Sequence, residues 1–95
     1  MTDQIIRELF DVIEDRKVNE PEGSYTASLL THEKGQDAIL EKIGEESAEV
    51  LLAAKNDDRD AVAHESADLV YHLLVLLADM DMDLTDLEAE LHDRR

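Results

Sequence analysis

The stretch 39-ILEKIGEESAEVLLAAK-55, answered further along the chain by 60-DAVAHESADLVYHLLVLLADM-80, decides the fold. With Ile39 as the zero of a helical wheel turning roughly 100° per residue, Ile43, Val50 and Ala53 fall within about 40° of it, the signature of an amphipathic helix. Glu46 falls among them. An isolated ionised carboxylate buried in such a stripe costs several kcal/mol, so Glu46 must be protonated, paired with a cation, or open to a wet cavity. Glu49 lies at the edge of the same face, and Glu45, one turn before it, repels it. A divalent cation relieves that repulsion. In the second stretch Glu65, Asp68 and His72 form a polar stripe flanking Val62, Leu69, Leu73 and Leu76. Two antiparallel helices would bring the pairs Glu46/Glu49 and Glu65/Asp68 together as a candidate metal site.

Working outward, the first helix of this hairpin is expected from about Gln36 to Lys55 and the second from about Asp60 to Met80, with Asn56-Asp57-Asp58 as the turn. A loop this short makes antiparallel neighbours. Residues 3 to 17 carry Ile5, Ile6, Leu9, Phe10, Val12 and Ile13 in an i, i+3, i+4, i+7 pattern that predicts another helix, ended by Pro21 and Gly23. The hydroxyl-rich segment Ser24-Tyr25-Thr26-Ala27-Ser28-Leu29-Leu30 reads as a turn or a single helical turn. Thr85 with Glu88 matches a capping box for a last helix ending near Arg94. No segment alternates with period two for long enough to make a strand. The expected architecture is all-α, an antiparallel bundle of about four helices forming a single domain over residues 1–95. The run Leu69 to Leu77 is apolar on nearly every side of its helix, so cover from a second copy is expected, giving a homodimer with Tyr71 turned away from the carboxylates toward its core.

Composition narrows the chemistry. Of 95 residues 25 are Asp or Glu and 9 are Lys or Arg, a net charge of −16 that disfavours nucleic acid or an anionic membrane as partner. The same excess resembles salt-adapted proteins, in which high salt screens self-repulsion, and it makes Asp57, Asp58, Asp60, Asp79, Asp81, Asp83 and Glu88 solvated surface. The absence of cysteine excludes disulfides, thiolate metal sites and cysteine nucleophiles, and favours a reducing compartment. The start Met1-Thr2-Asp3-Gln4 does not resemble a signal peptide, and the longest apolar run, Leu73 to Ala78, is too short to span a bilayer; a cytoplasmic protein is expected.

Four hard oxygen ligands suit Mg²⁺, with Mn²⁺ as the alternative, better than zinc or copper. A carboxylate-bridged di-iron bundle would require a Glu-x-x-His pair on each of two helices, whereas these pairs are Glu-x-x-Glu and Glu-x-x-Asp. Mg²⁺ held by carboxylates completes its shell with substrate phosphates, which points to hydrolysis of a phosphoanhydride. Glu45 or Glu46 can serve as general base. Lys42 can reach a phosphate or pair with Glu46, one turn away. The hydroxyls of Ser24, Tyr25 and Thr26 can bind ribose or phosphate or cap a turn, and His72 can join the site or sit as a satisfied helix histidine.

Glu45-Glu46-Ser47-Ala48-Glu49 followed by Glu65-Ser66-Ala67-Asp68 resembles the EExxE and ExxD motifs of the MazG-type all-α nucleoside triphosphate pyrophosphohydrolases. Within that superfamily, Gly23-Ser24-Tyr25-Thr26 with Leu29-Leu30, Gly35, Lys42-Ile43-Gly44, Ala53-Ala54-Lys55, the run Asp68 to Leu74 and Glu90-Leu91 with Arg94 resemble the phosphoribosyl-ATP pyrophosphohydrolases. The resemblance covers almost the whole chain. It implies Mg²⁺-assisted hydrolysis of 1-(5-phosphoribosyl)-ATP to 1-(5-phosphoribosyl)-AMP and pyrophosphate, the second step of histidine biosynthesis. Metal positions would be Glu46, Glu49, Glu65 and Asp68, with Glu45 as a further site acid. In some organisms this domain is fused to the cyclohydrolase that acts next and that uses cysteine for zinc. This chain has no cysteine, so a separate cyclohydrolase is expected to take the product. The competing readings are a house-cleaning pyrophosphohydrolase acting on ordinary or damaged nucleoside triphosphates, and a non-catalytic acidic helical interaction module.

Overall fold

In a computed structural model, which describes residues 4–95, the chain is all-helical, with five helices and no strand among the described residues. The helices are α1 (Ile5–Asn19), α2 (Tyr25–Leu30), α3 (Gln36–Lys55), α4 (Arg59–Asp79) and α5 (Leu84–His92). The additional element relative to about four is α2, the hydroxyl-rich segment. Its start is secured by Ser24, whose hydroxyl accepts from the Ala27 N–H at 3.2 Å. Its buried Thr26, Ala27 and Leu29 tie it to the rest, and such packing is what holds a helix of this length.

The α3–α4 hairpin forms as expected. After α3, Asp57 takes a left-handed conformation with φ 52°, and the Asp58 carboxylate caps α4 by accepting from Ala61 N–H at 3.1 Å. The last helix is capped elsewhere than the Thr85/Glu88 pairing: Asp83 is the N-cap, and Asp86 returns to the Asp83 N–H at 2.9 Å. Asp83 lies one residue before the first apolar position of α5 and so wins the role; the Thr85 hydroxyl donates to Asp83 at 2.6 Å instead.

The core lies at one end of the hairpin. Phe10 and Ile13 of α1, Leu29 of α2, Ile39 of α3, Leu74, Val75 and Ala78 of α4 and Leu84 of α5 form one buried cluster. Lys17 locks this end, its ammonium donating to the Ala78 carbonyl at 2.6 Å, at the last turn of α4, and to Asp81 in the turn to α5. Beyond the middle of the hairpin the cover thins, and Leu51 and Leu52 are 67% and 62% exposed. The apolar run in α4 belongs to a helix of 21 residues that is long and apolar enough, by length and composition alone, to cross a membrane. It carries Glu65 and Asp68, however, and packs as the central helix against α1, α2 and α3.

Candidate active site

The carboxylates sit where the shared core gives way to the open arm of the hairpin. Glu46 faces inward from α3 because it shares the wheel position of Ile39, and only 8% of it remains exposed. Across from it α4 presents Glu65. One carboxylate oxygen from each of Glu46, Glu49 and Glu65 lies within 4.8 Å of the others. Asp68 is not in that group; it joins His64 and Glu65 in a second one of the same tightness, with His64 Nε2 at 3.4 Å from Asp68 Oδ2. Glu65 belongs to both. The sequence reading overlooked His64, although its i,i+4 spacing to Asp68 was there to be used.

Glu46 Oε2 and Glu65 Oε2 are buried and meet no hydrogen-bond partner in the chain. Without a cation, the hydrogen bond open to them is through a proton held between carboxyls. Within the group the Glu65 pKa is pushed up to about 7 by the Glu49 carboxylate beside it, by burial and by Glu46. Burial also raises Glu46, against the pull of Glu65, with Glu49 adding to the rise. Glu49 is held below the usual carboxylate range by its pairing with Glu65 and then with Glu46. An all-carboxylate set with two orphaned buried oxygens fits a hard divalent cation, which would satisfy those oxygens and replace the proton.

Around this centre the other candidates take definite places. Lys42 pairs with Glu45, Nζ to Oε2 at 3.5 Å, rather than with Glu46, which is turned into the bundle. Glu45 is exposed and outside the carboxylate group. His72 is buried and doubly bonded: Nδ1 lies 2.9 Å from the Asp68 carbonyl oxygen and Nε2 2.9 Å from the Tyr25 hydroxyl. A carbonyl only accepts, so Nδ1 carries a proton, and in the neutral ring Nε2 is then the acceptor to which Tyr25 donates. His72 Nδ1 is also 3.9 Å from Glu46 Oε1. Burial pushes the Tyr25 hydroxyl pKa up, while the nearby Lys42 ammonium pulls it down. The Thr26 hydroxyl bonds to that of Tyr71, and the Ser24 hydroxyl is used in the α2 cap. Within the chain α2 lies against Tyr71, whose ring stacks on Tyr25 with centroids 6.1 Å apart.

Comparison with known proteins finds likeness along nearly the whole chain. The family model for phosphoribosyl-ATP pyrophosphohydrolase matches residues 6–95. A phosphoribosyl-ATP pyrophosphatase of Haloarcula marismortui is 66% identical over 94 residues, covering 99% of this chain and 96% of the relative. Another from Halobacterium salinarum is 66% identical over 91 residues, covering 95% and 96%. One from Methanococcoides burtonii is 52% identical over 98 residues, covering 100% and 99%. With the match spanning nearly every residue and both carboxylate-bearing helices, the chain belongs to the phosphoribosyl-ATP pyrophosphohydrolase family.

Proposed function

We propose that this chain hydrolyses 1-(5-phosphoribosyl)-ATP to 1-(5-phosphoribosyl)-AMP and pyrophosphate, the second step of histidine biosynthesis, in the cytoplasm, with residues 1–95 as a single catalytic domain. The observation that carries the reading is the group formed by Glu46, Glu49 and Glu65, with two buried oxygens left unbonded, in a chain of this family. These three and Asp68 would hold Mg²⁺, or Mn²⁺ in its place. When bound, the ion supplies positive charge to the phosphate oxygens and makes water a better nucleophile. Lys42 binds a phosphate from the α3 side. Glu46 is committed to the carboxylate group, so the exposed Glu45 takes the proton of the attacking water. The bond between the α- and β-phosphates breaks, and pyrophosphate leaves. The enzyme works on an acidic, salt-adapted surface, and a separate cyclohydrolase consumes the product.

The working form is a homodimer. The chain exposes 6726 Å² where a folded monomer of its 10.7 kDa exposes about 5,500 Å². The excess, about 1,200 Å², is more than the roughly 800 Å² that one partner gives up in a stable pair. The radius of gyration, 14.3 Å, likewise exceeds the about 12–13 Å of a compact chain of this length. Leu51, Leu52, Val70 and Leu73 supply exposed apolar surface for the partner.

Pyrophosphate release from phosphoribosyl-ATP, measured beside ATP and dCTP, with and without Mg²⁺, tests the reaction. Release confined to phosphoribosyl-ATP and dependent on Mg²⁺ is expected. Comparable release from ATP or dCTP would replace this reading with a house-cleaning activity, and release from none would leave an interaction module.

A further inference from the structure

We propose that the open face of the Tyr25 ring is the platform on which the purine base of the substrate stacks, making Tyr25 a specificity-determining residue. The inference rests on the nucleotide-hydrolysing reading above and gives Tyr25 a role different from phosphate or ribose binding through its hydroxyl. That hydroxyl is spent, because it is hydrogen-bonded at 2.9 Å to Nε2 of a histidine that is 4% exposed. What the residue offers outward is its ring, for Tyr25 is 49% exposed.

The ring is braced by its neighbours although it projects from a helix of six residues. His72 binds its hydroxyl and meets it edge-on, at 85° between planes. Tyr71 backs it, with 25° between planes, and is itself tied down by Thr26. An aromatic side chain ordered before the ligand arrives loses little freedom when a base stacks on it. The ring also stands at the correct site. His72 links it to Glu46 across 3.9 Å, and the Lys42 ammonium is close enough to act on its hydroxyl. A nucleotide whose phosphates meet Lys42 and the carboxylates therefore has its base within reach of this face.

The chain has two tyrosines and no tryptophan, so its intrinsic fluorescence comes from Tyr25 and Tyr71 alone. In the Tyr71→Phe variant Tyr25 is the sole emitter. AMP is expected to quench that emission saturably, while ribose 5-phosphate, which lacks the base, leaves it unchanged. By calorimetry on chains with Tyr71 intact, Tyr25→Phe is expected to keep AMP affinity within about threefold, and Tyr25→Leu to weaken it about tenfold or more. Equal quenching by both ligands, no quenching by AMP, or wild-type AMP affinity in Tyr25→Leu would each overturn the proposal. A ring covered by a second copy would give no AMP quenching and a Tyr25→Leu chain that elutes as monomer, which also overturns it. Failure of the hydrolytic reading would appear separately, as absent pyrophosphate release alongside base-dependent quenching.

Discussion

Replacing Glu46 by Gln should make the metal-free protein more stable and the metal-loaded protein less so. Glu46 is 8% exposed, and its Oε2 lacks a partner while facing two other carboxyls. Leaving one buried polar atom unsatisfied costs about 1–3 kcal/mol. Glutamine keeps the shape, removes the charge, and turns an N–H₂ toward Glu49 and Glu65. One of its own polar atoms can remain unpaired, so the gain should fall near the low end, about 1 kcal/mol. For a chain of this size that raises Tm by about 4–8 °C. Thermal unfolding followed by circular dichroism in EDTA reads this directly. Adding Mg²⁺ should then raise the wild-type Tm in proportion to RT ln(1 + [Mg²⁺]/Kd) and move the variant much less, so the order of the two reverses. A Glu46→Gln chain that melts lower than wild type in EDTA would refute the reasoning, because it would mean that the Glu46 carboxylate is already satisfied in the metal-free fold.

The Glu65 pKa of about 7 lies above its unfolded value, so its protonated form stabilises the metal-free fold. That contribution is complete below the ordinary carboxylate pKa, about 4.3 for Glu, and is lost as pH rises through about 7. Stability in EDTA should accordingly fall across that window, and a Glu65→Gln chain should show a smaller fall, what is left coming from the raised Glu46. The same proton competes with metal, so Mg²⁺ affinity by calorimetry should weaken steeply below about pH 7; an affinity flat from about pH 6 to about pH 8 would contradict this. Lys17→Met removes a charge-assisted bond to the Ala78 carbonyl and the pairing with Asp81, and should cost about 1–2 kcal/mol in urea unfolding, discounted for the exposure of Asp81. A loss below about 0.5 kcal/mol would mean that the ammonium is as well solvated as bonded. With a net charge of −16, added KCl should raise Tm, and a Tm that falls with salt would contradict the self-repulsion argument.

How much of this was legible in the sequence depended on distance along the chain. The α3–α4 hairpin could be read because its apolar period is strong and its turn is short, and the inward position of Glu46 follows from the same wheel. The separation of Asp68 from the Glu46–Glu49–Glu65 group could not, because it depends on how the two helices are rotated against each other. Helix α2 was legible only as a turn or a single helical turn, because six hydroxyl-rich residues carry too little intrinsic preference to declare a helix; packing decides it. Asp83 outcompetes Thr85 as cap since both residue types serve and only the register of Leu84 in the core chooses between them. The bond between Tyr25 and His72 spans 47 positions, so no local pattern foretold it.

The hairpin also bears on the order of events in folding. Glu46, Glu49 and Glu65 come from consecutive helices, so the charged centre can assemble before α1 and α5 dock at the far end. Local contacts of this kind form early, but here the early nucleus carries like charges in its middle. A cation that relieves them acts on the transition state as well as on the finished fold. Mg²⁺ should therefore lift the refolding limb of a chevron plot and not only lower the unfolding limb, whereas an ion that slowed unfolding alone would show that the carboxylates meet only after the barrier is crossed.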